Sequence, residues 1–165
     1  MGGGRAGEGA ALRRARASDL AAVVALRLDF ERITRDSGSL DCGARAGEIA
    51  ALLGPDLAEG RLLCWIAEAG GGPVAQAALR LLPRGEGELM NVFTRPEFRG
   101  RGLGSALVAL AVSEAASLGL SRLSLQPTDS SRRIYERAGF VARGERMVMD
   151  LAGEAAARPG AATDS

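Results

Sequence analysis

The spacing of apolar positions changes along the chain between a helical period and a strand-like period. Apolar residues recur at helical intervals after Ser18, a residue type that caps helices, and again after Arg45 and Gly102. We predict helices at 18–35, 45–59, 102–118 and 130–138. The second helix is expected to be interrupted or bent at Gly54-Pro55, because proline removes a backbone donor and disfavours a helical predecessor.

Shorter apolar segments lie between these helices and predict strands. The expected strands are 12–16, 61–69, 74–82, 88–94, 122–126, 140–142 and 146–151. Gly70-Gly71-Gly72-Pro73 is a turn signal that joins the second and third strands into a hairpin. The element order β-α-α-β-β-β-α-β-α-β-β predicts a mixed α/β (α+β) fold around one sheet. We expect one domain at 12–151, flanked by flexible tails at 1–11 and 152–165 that contain little to bury.

The composition excludes several kinds of chemistry. The 165 residues include no histidine and no lysine, so all 21 basic residues are arginine. Triads and zinc sites that need histidine are therefore excluded, as is a Walker A phosphate loop. Cys42 and Cys64 form no recognisable metal-binding pattern, and no metal is expected. A net charge of +1 predicts no nucleic-acid partner, and the chain has no apolar run that predicts a membrane span. We expect a cytoplasmic protein, and the arginine-only composition suggests a GC-rich bacterial genome.

A glycine-rich turn between a strand and a long helix is the most informative segment. It reads Asn91-Val-Phe-Thr-Arg-Pro-Glu-Phe-Arg-Gly-Arg-Gly-Leu-Gly-Ser105. Glycines let the backbone approach a ligand closely, and the N-terminus of a helix attracts an anion, so the turn suits a pyrophosphate. A dinucleotide-binding fingerprint would need an acidic residue about 20 positions later, and 120–126 contains none. A turn that merely precedes a core helix remains an alternative for this segment alone.

Two motifs together resemble those of the GCN5-related N-acetyltransferase (GNAT) family. The first is Arg99-x-x-Gly102-x-Gly104, which is similar to that family's coenzyme A pyrophosphate loop. The second, about thirty residues downstream, is Tyr135-x-x-x-Gly139-Phe140 at the end of a short helix. The resemblance implies the acyl-CoA N-acyltransferase (GNAT) fold. It also implies an enzyme that transfers an acetyl group from acetyl-CoA to an amine, directly within a ternary complex.

The same resemblance implies which residues bind acetyl-CoA. Backbone groups of Val92, Phe93 and Thr94 would pair with the pantetheine arm, and one N–H would face the thioester oxygen. The amides of the turn would hold the pyrophosphate, and Thr128 stands where many relatives carry asparagine. The full set of expected coenzyme-binding residues is Val92, Phe93, Thr94, Arg99, Gly100, Arg101, Gly102, Leu103, Gly104, Ser105, Thr128 and Ser131.

Three residues are candidates for catalysis by resemblance. Tyr135, the only tyrosine, matches a general acid that protonates the departing thiolate, although it also suits the core beside Phe140. Glu88 matches a position where several relatives use glutamate as general base, although a solvated glutamate is an alternative. Asn91 is a candidate to position a water or the acceptor, or else a polar core group.

The sequence leaves the amine acceptor and the oligomeric state open. The acceptor is expected to be a small-molecule amine or a protein N-terminus. Asp29, Glu31 and Asp36 are candidates to face a cationic amine, with helix-surface ion pairs as the favoured alternative. A CoA-binding sensor or partner module without turnover is the alternative function. The apolar strand at 146–151 suggests a homodimer, although its alternation equally fits an inner sheet face.

Overall fold

The computed structural model describes residues 9–34 and 41–151. The predicted tails therefore lie almost entirely outside the described residues, as does the predicted end of the first helix at Arg35. Within the described part there are seven strands and four α-helices, in the predicted order. They are β1 (Ala11–Arg14), α1 (Leu20–Thr34), α2 (Cys42–Glu59), β2 (Leu62–Ala69), β3 (Gly72–Leu82), β4 (Glu86–Thr94), α3 (Leu103–Ser117), β5 (Arg122–Leu125), α4 (Arg132–Ala138), β6 (Val141–Arg143) and β7 (Arg146–Asp150).

The described strands form one mixed sheet with the order β1-β2-β3-β4-β5-β7-β6. Only β4 and β5 run parallel, and every other neighbouring pair is antiparallel. The predicted hairpin of β2 and β3 is confirmed, with Gly70 and Gly71 in its turn at positive φ. Strand β7 lies between β5 and β6, and Met147 is fully buried, so its apolar alternation fits an inner sheet face. The homodimer stays a prediction.

Helices cover both faces of the sheet, and each face has its own core. Strand β2 shows this directly, because alternate side chains belong to different clusters. Leu63 and Trp65 pack with α3, whereas Cys64 and Ile66 pack with α1 and α2. Trp65 is 6% exposed and belongs to the core. The result is a three-layer arrangement in which β4 is enclosed by helices on both sides.

Helix α2 is a single helix from Cys42 to Glu59, so the predicted interruption at Gly54-Pro55 is wrong. Proline inside a helix costs about 3 kcal/mol. Burial of Ile49, Leu53 and Leu57 along one face of the helix offsets that cost. The helix also starts earlier than predicted, because the Asp41 side chain accepts hydrogen bonds from the backbone N–H groups of the first turn.

The start of α1 also differs from the prediction. Ser18 does not cap it, because a 3-10 turn at Ala17–Asp19 precedes the α-helix. The Asp19 carboxylate instead accepts a hydrogen bond from the backbone N–H of Arg16 at 2.7 Å and a bidentate pair from Arg13. These contacts lower the pKa of Asp19 to about 2, chiefly through the Arg13 hydrogen bonds. The first helix is thereby fixed to β1.

Candidate active site

A cleft of about 550 Å³ opens where β4 separates from β5. The turn before α3 and the first turn of α3 form one wall, and α4 forms another. The C-terminal end of α1 closes the cleft at one side. Its lining residues are Phe30, Ile33, Thr34, Val92, Phe93, Thr94, Phe98, Arg99, Gly100, Gly102, Leu103, Gly104, Ser105, Thr128, Ser130, Ser131, Ile134, Tyr135 and Arg137.

The separation of β4 from β5 exposes one edge of β4. The two parallel strands pair only through Glu86–Glu88 and Arg122–Ser124, whereas β4 continues to Thr94. On its other edge β4 remains paired with β3 as far as Thr94. Backbone groups near the end of β4 therefore face the cleft without a partner strand within the described chain. Such groups need hydrogen bonds from water or from a ligand.

The turn before α3 presents backbone donors to the cleft. Gly100 and Gly102 each have φ of +77°, a conformation that only glycine adopts without strain. No side chain caps α3, and the first backbone hydrogen bond of this helix joins the Ala106 N–H to the Gly102 carbonyl. The N–H groups of Leu103, Gly104 and Ser105 are thus the unpaired donors of a helix N-terminus. These donors and the helix dipole together favour an anionic group.

Arg99 fixes this turn to the end of β4. Its Nε donates a hydrogen bond to the Thr94 carbonyl oxygen at 3.1 Å. Arg101, which the sequence predicts as a coenzyme ligand, does not line the cleft. Its guanidinium lies 5.1 Å from the centre of the Phe98 ring, a cation–π distance. Phe98 rather than Arg101 therefore contributes to the cleft wall.

Tyr135 is the buried phenol of the cleft. It is 5% exposed, and its ring packs edge-on against Phe140 with the ring centres 5.9 Å apart. Burial raises the pKa of Tyr135 to about 12, against a smaller opposing effect of a hydrogen bond with Ser131. The hydroxyl therefore stays protonated at neutral pH, as a proton donor must be.

The segment before α4 is held by hydroxyl groups. The Ser131 hydroxyl donates to the Thr128 carbonyl at 3.0 Å and accepts from the Thr128 backbone N–H at 2.9 Å. The Thr128 side chain also donates to Ser131 Oγ at 2.8 Å. Both residues line the cleft, and their hydrogen bonds organise the loop that leads into α4, the helix that carries Tyr135.

Two predicted catalytic residues lie outside the cleft. Glu88 lies in the segment of β4 that is still paired with β5. Its carboxylate accepts a hydrogen bond from Arg146 Nη2 at 2.9 Å. Asn91 is 6% exposed, and its Oδ1 accepts a hydrogen bond from Arg27 Nη1 at 2.7 Å. Asn91 thus lies in the core, where its Nδ2 has no hydrogen-bond partner within the described chain. A role for Asn91 toward the acceptor stays a prediction. Neither side chain enters the mechanism proposed below.

The acidic residues of α1 have ion-pair partners. Asp29 accepts from Arg95 Nε at 3.0 Å, and Glu31 is bound by Arg27 and Arg45. Asp29 and Glu31 therefore form ion pairs, which was the favoured alternative to contact with a cationic amine. Glu31 is 1% exposed, so its ion pairs are buried and do not lie on the helix surface. Asp36 lies outside the described residues.

Several lining residues were not predicted from the sequence. Phe30, Ile33 and Thr34 reach the cleft from the last two turns of α1, and Ile134 and Arg137 reach it from α4. For Ile134 and Arg137 the available signal was helical spacing, because both lie within one turn of Tyr135. The contribution of α1 had no local signal, because it depends on how α1 crosses the end of β4.

Comparison with known proteins identifies the family. A model of the acetyltransferase (GNAT) family matches residues 23–140, which include both predicted motifs and every described residue that lines the cleft. This chain belongs to the GNAT family. The match confirms the resemblance inferred from the glycine-rich turn and from the Tyr135-to-Phe140 segment.

Solved GNAT structures share this fold. The GCN5-related N-acetyltransferase from Ralstonia eutropha is 29% identical with a TM-score of 0.72, and the match covers 83% of this chain and 95% of that one. A predicted acetyltransferase from Clostridium acetobutylicum, solved with acetyl-CoA, is 24% identical with a TM-score of 0.70, over 82% and 92% of the two chains. The predicted GNAT fold is therefore confirmed.

A curated relative matches a shorter region. The glucosamine 6-phosphate N-acetyltransferase of Trypanosoma brucei brucei is 32% identical in an alignment of 84 residues that covers 47% of this GNAT chain. The match spans 57% of that relative's length. Two features are absent from residues 9–34 and 41–151. No helix there is long and apolar enough to cross a membrane, and no three metal-ligating side chains are grouped together.

Proposed function

We propose that this chain transfers the acetyl group of acetyl-CoA to an amine by direct attack within a ternary complex. The observation that carries the proposal is the convergence of three features on one cleft. The uncapped N-terminus of α3, the unpaired edge of β4 and the buried hydroxyl of Tyr135 all meet there. Membership in an acetyltransferase family supports the same reaction class.

The charge distribution around the cleft supports an anionic substrate. Two lining residues, Arg99 and Arg137, are charged, and both are positive. Within the described chain, no carboxylate lies within ion-pairing distance of the arginines of the turn and of α4, namely Arg99, Arg101, Arg132, Arg133 and Arg137. Positive charge that is not neutralised by protein carboxylates attracts the phosphates of coenzyme A.

The binding mode follows from the backbone of the cleft. The turn at 99–105 holds the pyrophosphate through the N–H groups of residues 100–105, since the Arg99 N–H donates to the Pro96 carbonyl. The free edge of β4 pairs with the amide groups of pantetheine. An N–H of Val92, Phe93 or Thr94 then donates to the thioester oxygen. A fixed donor aimed at an oxygen that gains negative charge stabilises the tetrahedral intermediate.

The transfer step uses Tyr135 as proton donor. A neutral amine attacks the thioester carbon, and its nitrogen forms a bond to that carbon. When the carbon–sulfur bond breaks, Tyr135 gives its hydroxyl proton to the departing thiolate. The amine loses its extra proton to water, from which Tyr135 is reprotonated. The products are the acetylated amine and free CoA.

The acceptor is a small primary amine or a protein N-terminus. The similarity to a glucosamine 6-phosphate N-acetyltransferase places that amino sugar phosphate among the first amines to test. The apolar side chains of Phe30, Ile33 and Phe93 line the end of the cleft beside α1, which is where an acceptor approaches the end of β4.

The direct test is release of the CoA thiol from acetyl-CoA in the presence of single amines. The panel comprises glucosamine 6-phosphate, free amino acids, polyamines and short peptides with free N-termini. Amine-dependent thiol release supports the proposal and identifies the acceptor class. Tight binding of acetyl-CoA without thiol release for any class of amine would instead favour a CoA-binding sensor.

A further inference from the structure

Strand β4 contains a bulge at the point where it leaves β5. The register with β3 shifts between Gln76 and Ala78, so one extra β4 residue is accommodated opposite this point. Asn91 lies in the bulge with φ of +53°. A left-handed conformation is uncommon outside glycine, although asparagine tolerates it better than most residues. The bulge directly precedes Val92, Phe93 and Thr94, whose backbone borders the cleft.

Arg27 of α1 holds this bulge through its side chain. Its Nη1 donates to Asn91 Oδ1 at 2.7 Å, and its Nε donates to Glu31 Oε1 at 3.0 Å. The same guanidinium lies 5.4 Å from the centre of the Phe30 ring, and that ring packs against Phe93 with centres 5.6 Å apart. Arg27 therefore contacts the bulge directly through Asn91. It contacts Phe93, at the cleft, indirectly through the ring of Phe30.

Glu31 does not depend on Arg27 alone. Arg45 of α2 donates to Glu31 Oε2 through Nε at 2.8 Å and to Oε1 through Nη2 at 2.7 Å. The carboxylate thus keeps a bidentate partner if Arg27 is removed. The contact that Arg27 alone supplies is the one to Asn91. The two arginines therefore have different roles. Arg45 joins α1 to α2, whereas Arg27 joins α1 to the bulge of β4.

We propose that Arg27 is a positioning residue that acts through Asn91 to fix the bulge and thereby the direction of the β4 amides at the acyl group. The inference rests on the proposed function, because it needs acetyl-CoA to lie along β4. An arginine that sets the direction of these amides affects recognition of the acetyl carbonyl. It has little effect on the pyrophosphate, which the turn at 99–105 holds.

The test compares affinities for acetyl-CoA and for CoA, measured by titration calorimetry. The two ligands share the nucleotide, the pyrophosphate and pantetheine, so their affinity ratio isolates the acetyl group. Arg27→Met is expected to lower the ratio of acetyl-CoA affinity to CoA affinity about fivefold relative to the wild-type ratio. Arg45→Met is the matched control, since it breaks the same buried ion network but does not contact Asn91. It is expected to reduce thermal stability and leave the ratio within about twofold.

A double-mutant cycle shows whether Arg27 acts through Asn91. Asn91→Gly keeps the bulge accessible, because glycine adopts φ of +53° without strain, and it removes the same hydrogen bond. Asn91→Gly is expected to lower the ratio as Arg27→Met does, and the double variant to lower it no further. This variant also provides the measurement if Arg27→Met does not fold.

The outcomes are distinct. Equal losses for both ligands in Arg27→Met, or additive effects in the cycle, would overturn the positioning role and leave the proposed function in place. Failure of the wild-type protein to bind either ligand would instead overturn the proposed function.

Discussion

The two faces of β4 use polar groups in opposite ways. On the side of α1 and α2, Glu31 is buried and its carboxylate accepts hydrogen bonds from Arg27 and Arg45, while Arg27 also donates to Oδ1 of Asn91. On the side of α3 and α4, the backbone donors of the turn at 99–105 have no side-chain cap. On the α1 side the charged groups are paired within the protein. On the cleft side the backbone donors of the turn are open to a ligand.

This contrast distinguishes groups that stabilise the fold from groups that bind a ligand. Buried charges must be paired, because an unpaired charge in the interior carries a large desolvation cost. Donors at a helix N-terminus beside a cleft are satisfied by water or by an anion. Substitution of Glu31 on the α1 side should therefore change stability, whereas substitutions in the turn and in α4 should change binding or turnover. Arg27 is the exception on the α1 side, because it also contacts the bulge of β4.

The largest expected effect is on turnover. Tyr135→Phe removes the proposed proton donor and keeps the ring that packs on Phe140. Turnover with any accepted amine should fall about 1,000-fold, within the usual range for loss of a general acid. Affinity for acetyl-CoA should change less than about threefold, because a lone hydroxyl contributes little to ground-state binding. Steady-state kinetics and calorimetry measure the two quantities. Unchanged turnover would remove Tyr135 from the mechanism.

The next effect concerns stability on the opposite face. Glu31→Gln leaves two guanidinium groups without their carboxylate, and the free energy of unfolding at pH 7 should fall by about 3 kcal/mol. Glu48→Gln is the control, because Glu48 pairs with the same Arg45 but is well exposed, and it should cost less than about 0.5 kcal/mol. Urea denaturation checks both values, and equal losses in the two variants would contradict the buried role of Glu31.

The Glu31 carboxylate also makes the free energy of unfolding depend on pH. Hydrogen bonds from Arg45 lower the pKa of Glu31 from 4.5 to about 2. Its contribution is therefore present above pH 4.5 and is lost as pH falls toward 2, where the folded-state group takes up its proton. The stability difference between the wild type and Glu31→Gln should narrow over that interval. A difference that stays constant from pH 5 to pH 2 would contradict this linkage.

A moderate effect is expected in the turn before α3. Gly102→Ala places a Cβ at φ of +77°, where an L residue is strained although the space is open. Stability should fall by about 1 kcal/mol and acetyl-CoA affinity about tenfold, as the turn adjusts to relieve the strain. Gly47→Ala is the control, since Gly47 lies inside α2 with open space and no positive φ, and alanine there should stabilise by about 0.5–1 kcal/mol. Thermal unfolding and calorimetry separate the two, and an unaltered affinity in Gly102→Ala would contradict the phosphate role of the turn.

The smallest effect tests the charge of the cleft. Arg137→Gln should weaken binding of acetyl-CoA about threefold and reduce the dependence of affinity on salt, because Arg137 lines the cleft. Arg143→Gln removes the same charge from the exposed edge strand β6 and should have no measurable effect. Affinities measured at low and high salt compare the two variants. An equal loss in both would indicate only a general charge effect.

The local features of the molecule were predictable from the sequence. Gly100 and Gly102 mark the turn because their positive φ is a requirement of the backbone at those positions. The order of strands and helices followed from apolar periodicity, because the spacing of apolar residues within a short segment indicates whether that segment is a helix or a strand. Tyr135 was placed in the cleft by its position in a short motif with Phe140.

Features that depend on distant contacts were not predictable. Glu88 and Arg146 are 58 positions apart, and Arg27 and Asn91 are 64 apart, so no local pattern showed these pairs. The persistence of α2 through Pro55 likewise depends on packing of Leu53 and Leu57 against the core. Propensity measures only the cost of the proline, whereas the tertiary contacts determine whether the helix continues.

The most direct test of the central claim is thermal unfolding of the wild-type chain with and without acetyl-CoA. A ligand at 100 times its dissociation constant stabilises the native state by about 2.7 kcal/mol. We predict a clear rise in the melting temperature with acetyl-CoA, and a smaller one for Gly102→Ala at the same concentration. No shift of the wild-type protein at millimolar acetyl-CoA would contradict the claim that the turn at 99–105 and the free edge of β4 form a coenzyme site.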